Sequence, residues 1–128
     1  MKKFFVLSLV LTLGCCVWAK SSYNYKLPLP GATKANVKLQ GDTLLPVYTS
    51  AAAKMPDCAK MSVIDTAVLK QPHDLKVENG QYVEGAWKEQ WTVKGCGQNV
   101  YVPVNFIIDK TGTTYMINEK EVHFKGSY

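Results

Sequence analysis

Four cysteines, in two pairs, are the residues of this 128-residue sequence that are most capable of covalent chemistry. Cys15 and Cys16 lie side by side near the amino terminus, whereas Cys58 and Cys96 are far apart in the remaining chain. In an oxidising compartment, an even pair such as Cys58 and Cys96 is typical of a structural disulfide. That bond would close a long loop and stabilise a small domain by about 2–4 kcal/mol. A reactive thiol at Cys96 is the alternative, but it has no Cys-x-x-Cys partner.

A group of aromatic residues is the candidate binding site. Trp87 and Trp91 belong to a strand-like segment and are separated by an even number of positions, so their side chains share one face. With Tyr82 and Tyr101 they could form an exposed platform for carbohydrate or peptide. The alternative places both tryptophans in the core, because large aromatic side chains dominate the cores of small domains.

No pattern in the sequence predicts catalysis. A Gly-x-Ser-x-Gly turn, a His-Glu-x-x-His motif and a glycine-rich phosphate loop are all absent. Glu84 and Glu89 could act as acid and base on a sugar, but their odd separation places them on opposite faces of a strand. His73 and His123, the only histidines, lack the short ligand spacing of structural zinc sites. We therefore predict no catalytic residue, no metal site and no cofactor, while an enzyme assembled from distant residues stays an alternative.

The first residues have the anatomy of a secretory signal peptide. Two lysines follow Met1, an apolar run extends from Phe4 to Leu13, and Val17-Trp18-Ala19 fits a cleavage site. The apolar run is shorter than the roughly 20 residues that a membrane-spanning helix needs. We predict a signal peptide over residues 1–19, and hence an exported protein that is secreted or periplasmic.

The same segment also contains a partial lipoprotein site. Leu13-Gly14-Cys15 would make Cys15 the lipidated first residue, but Thr12 stands where such sites usually carry leucine. Cleavage before Cys15 would leave Cys16 as an odd thiol, whereas cleavage after Ala19 leaves a single pair of cysteines. Release after Ala19 is therefore the prediction, and lipid anchoring through Cys15 is the alternative.

The first part of the mature chain contains an arm and one helix signal. Residues 20–35 are rich in serine, proline, lysine and tyrosine, and they predict a flexible N-terminal arm. In the following segment, Thr49 or Ser50 can cap the run from Ala51 to Met55. Because this run is short, its helix must be stabilised by packing against another element. Residues 36–128 are predicted to form a single domain.

The second half of the chain alternates between apolar and polar residues with the two-residue period of strands. Glycine-containing turns separate these segments, and Pro103 marks an edge position, a bulge or a missing donor that faces outward. The predicted strands are residues 61–70, 87–94, 100–108 and 113–118, with a short strand at 122–124. The predicted fold class is α+β: a small single domain with an antiparallel meander sheet of about four strands, a short helix and one disulfide.

The composition is that of a globular protein, with 47% hydrophobic residues. All basic residues are lysines, and these are dispersed along the chain. Bidentate recognition of phosphate or of a guanine edge needs the guanidinium group of arginine, so we predict no nucleic-acid binding. Removal of the signal peptide lowers the formal net charge of +5 by two.

The segment EGAWKEQWTVKGCGQNVYVPVNFIIDKTGTTY contains a Trp-x-Glu-x-Trp-x-Val strand and a Cys-Gly turn, followed by a Val-x-Val-x-Phe strand and an Asp-x-x-Gly-Thr turn. In this pattern the chain resembles small, mostly uncharacterised exported proteins of Gram-negative bacteria, similar in kind to novel substrates of type II secretion. The resemblance covers about the C-terminal third of the chain. It implies export and carries no catalytic residue across.

Together these patterns predict a secreted or periplasmic, non-enzymatic protein that binds an unknown macromolecule or surface in the envelope or the host environment. The first alternative is a small secreted hydrolase or an enzyme inhibitor. The second alternative is a lipid-anchored envelope component. The sequence specifies neither the ligand nor the oligomeric state.

Overall fold

A computed structural model describes residues 22–23, for the backbone only, and residues 26–126. The described elements are β1 (Ser22–Tyr23), α1 (Val37–Lys54), β2 (Lys60–Glu78), β3 (Gln81–Gly95), β4 (Gln98–Asp109), β5 (Gly112–Met116), a 3₁₀ turn (Glu119–Glu121) and β6 (His123–Phe124). They confirm the predicted fold class, a small single domain with one helix, an antiparallel meander sheet and one disulfide. The predicted signal peptide lies outside the described residues.

The sheet follows the chain from strand to strand. Its order is β1-β2-β3-β4-β5, with antiparallel pairing from β2 to β5 and β1 parallel to β2. On the far side of β4, β6 pairs at Val100 and Tyr101, and β5 pairs from Asn105 to Asp109. Pro103 lies between these two partners, so its missing N–H costs no ladder hydrogen bond on that side.

Strands β2 and β3 are longer than the sequence predicts. β3 pairs with β4 only from Gly85 onwards, so residues 71–84 project as a two-stranded ribbon, which we call the hairpin arm. Its turn is Asn79-Gly80, where φ angles of 51° and 79° fit a type I′ hairpin. β2 continues through Pro72 because, among the described residues, it has no second neighbour there, and register shifts absorb the irregularity.

Helix α1 is much longer than predicted. It begins at Val37, so the predicted start at Thr49 or Ser50 is wrong. The Thr49 hydroxyl caps no helix, because it donates to the carbonyl of Leu45, one turn earlier in the same helix. Because of Pro46, the sequence does not predict the first half of α1. A proline inside a helix removes a backbone hydrogen bond and usually marks a helix boundary.

Local signals nevertheless define both ends of α1. The side-chain oxygen of Asn36, the N-cap residue, accepts a hydrogen bond of 2.9 Å from the N–H of Leu39. At the other end, the N–H of Met55 donates to the last carbonyl groups of the helix. Lys54, in the last turn, complements the negative end of the helix dipole.

The core lies between α1 and one face of the sheet. The ring of Phe106 packs against both tryptophans, with centroids 4.8 Å from Trp87 and 6.3 Å from Trp91. On the helix side, the buried hydroxyl of Tyr48 accepts a 3.3 Å hydrogen bond from the N–H of Val63. The other fully buried apolar side chains are Val47, Ala51, Val93, Val100, Val102 and Val104. Burial of this apolar surface is the main stabilising contribution.

The disulfide joins two separate connections of the fold. Cys58 lies between α1 and β2, and Cys96 lies in the turn between β3 and β4. Their Cα atoms are 5.8 Å apart, within the usual range for a disulfide. The predicted pairing of Cys58 with Cys96 is confirmed.

Candidate functional site

The aromatic residues of the predicted binding site do not come together on one surface. Trp87 and Trp91 have exposed fractions of 7% and 0%, so they take the core positions that were the alternative to an exposed platform. Tyr82 is 58% exposed on the hairpin arm. Tyr101 is half-buried and lies edge-on to His123, with ring centroids 5.4 Å apart. Trp87 and Tyr82 line the same cavity.

Glu89 lies between the two tryptophans on β3 and is fully buried, with an exposed fraction of 0%. Its Oε2 atom accepts hydrogen bonds from the indole N–H of Trp87 at 2.7 Å and from the backbone N–H of Lys34 at 2.8 Å. Its Oε1 atom accepts a hydrogen bond of 2.8 Å from the indole N–H of Trp91. The Trp-x-Glu-x-Trp spacing produces this cluster, because alternate residues of a strand share one face.

Among residues 26–126, the Glu89 carboxylate has hydrogen-bond donors but no ion-pair partner within 4.0 Å. A buried carboxylate is costly unless hydrogen bonds satisfy it, and here three N–H groups do so. Glu84 is exposed on the hairpin arm, where Lys76 lies 4.0 Å away. The two glutamates therefore do not share a site that could act on a sugar.

Residues 29–35 run along the domain as a strap that leads into α1. The sequence predicts them as part of a flexible arm, and in the structure buried side chains bind their backbone. Gln40 of α1 accepts a hydrogen bond from the N–H of Leu29 and donates one to the carbonyl of Ala35, each 2.7 Å long. Glu89 holds the N–H of Lys34 in the same segment. The strap is thus anchored to both the helix and the sheet.

Thr66 of β2 provides the remaining anchor of the strap. Its hydroxyl donates to the carbonyl of Pro30 at 2.7 Å and accepts from the N–H of Thr33 at 3.0 Å. The strap passes so close to β2 that a Cβ added to Gly31 would lie 2.3 Å from the Thr66 carbonyl oxygen. Gly31 also has a φ of 102°, so only glycine fits this approach.

A groove of about 440 Å³ lies on the helix side of the sheet, between the hairpin arm and the start of α1. Its apolar lining consists of Leu39, Pro72, Leu75, Tyr82, Trp87 and Ile108. Its remaining lining residues are Lys34, Asn36, Gly112 and Thr113. The volume and the mainly apolar lining are typical of small-molecule sites.

The groove lies where the hairpin arm extends beyond the strands that α1 covers. α1 packs mainly against β3, β4 and β5, whereas residues 71–84 lie outside the part of the sheet that pairs with β4. The apolar side chains of Leu75 and Tyr82 on the hairpin arm therefore stay exposed. A Cβ added to Gly85 would lie 2.5 Å from Leu75, so glycine there lets Leu75 lie across β3 and form a wall.

One end of the groove is positively charged. Lys34 is the only charged residue of the lining, and its side chain is exposed. Among the described residues, no acidic side chain lies within 4.0 Å of its ammonium group. The neighbouring first turn of α1 contains no acidic residue. Glu89 accepts a hydrogen bond from the backbone N–H of Lys34 and is itself fully buried, so it is not an exposed acidic neighbour of the groove.

The histidines lie in different parts of the molecule. The Nδ1 atom of His73 is 2.9 Å from the carboxylate of Asp74, and His123 packs against Tyr101. Within residues 26–126, no three histidine, cysteine, aspartate or glutamate residues are grouped so that they could hold a metal ion. In the same part of the chain, no helix has both the length and the apolar character needed to cross a membrane.

Sequence reasoning misses the groove because it ends the first strand near Lys70. The Asn79-Gly80 pair is a strong hairpin signal, and apolar residues flank it on both sides. Val77 and Tyr82 are indeed cross-strand partners in the arm. The hairpin signal could have identified the arm, but not which element its apolar side faces.

Comparisons with known proteins identify no relative of this chain. No family model matches the chain. No curated protein and no solved structure matches it either. The resemblance to small exported bacterial proteins therefore stays a prediction.

Proposed function

We propose that this protein is an exported, non-enzymatic binding protein, secreted or periplasmic, and that the groove is its ligand site. The observation that carries the proposal is the mainly apolar groove between α1 and the hairpin arm. A concave apolar surface with a few polar groups at its margin is the usual form of a binding site.

Two of the lining residues are held in place, which supports a binding role. Trp87 is hydrogen-bonded to Glu89 and stacked on Phe106. Lys34 is held through its backbone by the same carboxylate. Because Trp87 and the backbone of Lys34 need little ordering when a ligand binds, more of their contact energy is available as affinity.

The chemistry of the lining supports binding rather than catalysis. Its polar side chains are those of Lys34, Asn36 and Thr113, and with the hydroxyl of the otherwise apolar Tyr82 they form no nucleophile and base pair. Glu89 is close to the groove, but both of its oxygen atoms are already engaged by N–H groups. A general acid or base must reach the substrate, so Glu89 does not fit that role.

Two further observations support export. The first residues follow the pattern of a signal peptide with cleavage after Ala19. The disulfide between Cys58 and Cys96 is typical of a protein that folds in an oxidising compartment. The resemblance to type II secretion substrates points in the same direction, and release into the medium is the corresponding proposal.

The binding site can be tested with the neutral fluorescent probe N-phenyl-naphthylamine and the mature, disulfide-bonded protein. Tyr82 is exposed, so Tyr82→Ala should leave the fold intact and raise the Kd of the probe about fivefold, through loss of one aromatic contact. Leu45→Ala is the matched control, because Leu45 is equally exposed but lines a different cleft. Absence of probe binding, or equal affinities for both variants, would overturn the assignment of the groove.

A further inference from the structure

We propose that the ligand of the groove is a free alkyl carboxylate, whose hydrocarbon chain lies on the apolar floor and whose carboxylate pairs with Lys34. The inference rests on the proposed function and names the chemical class of the ligand. It follows from the floor, from the single charge and from the size of the groove.

The floor favours hydrocarbon over sugar. Trp87 and Ile108 form it, and Leu39 and Leu75 border it. The indole N–H of Trp87 is already donated to Glu89, so the floor offers no hydrogen-bond donor to a ligand from that side chain. A sugar hydroxyl that faces Trp87 or Ile108 would find no hydrogen-bond partner on this floor, whereas an alkyl chain gains by leaving water.

The charge favours a ligand with one negative group. Lys34 is the only charged lining residue and has no acidic partner among the described residues. A lysine ammonium is a single point charge, which suits a monovalent carboxylate. A phosphate group is usually bound by several donors or by an arginine fork, and the chain contains no arginine.

The buried carboxylate of Glu89 does not cancel this preference. It binds the backbone N–H of Lys34, whereas the ammonium group is at the exposed end of the Lys34 side chain. Three N–H groups from Trp87, Trp91 and Lys34 already surround the Glu89 oxygens. Both Glu89 oxygens are therefore engaged by N–H groups, whereas Lys34 is an exposed residue of the groove lining.

The size of the groove favours a free small molecule over a polymer or a membrane. Its volume of about 440 Å³ lies within the usual range of small-molecule sites. The strap and the hairpin arm border it on two sides, so the space between them suits one alkyl chain rather than a flat surface.

The experiment compares decanoate, decanol and decyltrimethylammonium by isothermal titration calorimetry of the mature, disulfide-bonded protein. Decanoate should bind about two- to fivefold more tightly than decanol, and the cation should bind most weakly. Lys34→Gln should remove the advantage of decanoate and leave the affinity for decanol unchanged. Lys94→Gln, at an exposed lysine far from the groove lining, is the matched control and should change neither affinity.

The possible outcomes distinguish a wrong ligand class from a wrong proposed function. If decanol and decanoate bind equally and both depend on Tyr82, the groove is a binding site but its ligand is not an anion. If vesicles containing anionic lipid bind and free decanoate does not, the source of the anion is a membrane, and the inference is wrong. If no alkyl compound binds and the neutral probe also fails to bind, the proposed function itself is wrong.

Discussion

At the scale of single residues, Glu89 connects the core to the groove. Its carboxylate is shared by Trp87 at the groove floor, by Trp91 in the core and by Lys34 in the strap. Such a buried group is stabilising only while every hydrogen bond is present, because an unpaired donor in the core costs more than a formed bond contributes. The Trp-x-Glu-x-Trp motif therefore has a structural role in this fold.

Replacing Glu89 by glutamine should lower the free energy of unfolding by about 3 kcal/mol. Glutamine has a single acceptor oxygen, and its NH₂ group would face N–H donors that need an acceptor. Urea denaturation followed by tryptophan fluorescence measures the change. Glu84→Gln on the exposed hairpin arm is the matched control and should stay within about 0.5 kcal/mol of the wild type. Equal effects of the two substitutions would contradict the assigned role of Glu89.

Asp109 shows a second local effect of hydrogen bonding to a carboxylate. The hydroxyl of Thr111, at 2.6 Å, and its backbone N–H, at 2.8 Å, lower the pKa of Asp109 below its usual value. A carboxyl group with a lower pKa in the folded state stabilises the protein above its unfolded pKa. That contribution is lost as the pH falls through the folded pKa of Asp109.

Substituting Thr111 with alanine should therefore raise the pKa of Asp109 towards its ordinary value, since the strongest of these hydrogen bonds is removed. An NMR titration of the Asp109 carboxyl carbon measures the pKa directly in both proteins. Thr114→Ala, another exposed threonine of the same hairpin, serves as the control. The explanation fails if the Asp109 pKa is the same in the wild type and in Thr111→Ala.

At the scale of elements, the free part of the β2 edge is built to resist pairing with another strand. Pro72 lacks an N–H, Asp74 has a φ of 54°, and the register with β3 shifts several times in this stretch. Lys70 and Lys76 place exposed charges along the same edge. These are known devices against edge-to-edge aggregation, so the arm is better suited to forming a groove wall than to accepting a strand.

The disulfide also acts at the scale of elements, because it ties the exit of α1 to the turn between β3 and β4. Replacing both Cys58 and Cys96 by serine should lower the free energy of unfolding by about 2–4 kcal/mol. Denaturant midpoints of the double variant and of the wild type, each with and without reductant, test this. Reductant should shift only the wild type, and an unshifted wild type would contradict a stabilising role.

At the scale of the whole molecule, the groove depends on parts that are distant in the sequence. The strap, the start of α1, the hairpin arm and the β4–β5 hairpin each contribute a side of it. Strap and sheet are joined through Lys34 and Glu89, which are 55 positions apart. A substitution that displaces one of these parts should therefore weaken ligand binding, even where the substituted residue does not line the groove.

Export is also a property of the whole chain and is open to a direct measurement. We expect the intact mass of the protein from the envelope and the medium to correspond to a chain that begins at Lys20. Alkylation without reductant should add no mass, because Cys58 and Cys96 are bonded to each other. A heavier, acylated protein that begins at Cys15 would instead show a lipid-anchored envelope component and would overturn the proposal of release.

Features with local signals could be read from the sequence. The strict alternation around Trp91 and Val102 predicts β3 and β4, because a period of two places alternate side chains on one face. The parity of the cysteines predicts the bond between Cys58 and Cys96, because an even pair of cysteines in an oxidising compartment is typical of a structural disulfide. The fold class follows from these signals together with the turns.

Tertiary structure alone decided which surfaces are covered. Alternation shows that Trp87 and Trp91 share a face, but whether that face is buried depends on where α1 lies across the sheet. α1 itself includes Pro46, because packing of its long apolar side outweighs the lost hydrogen bond. The groove arises where the hairpin arm extends beyond the strands that α1 covers, an arrangement that no local sequence pattern specifies.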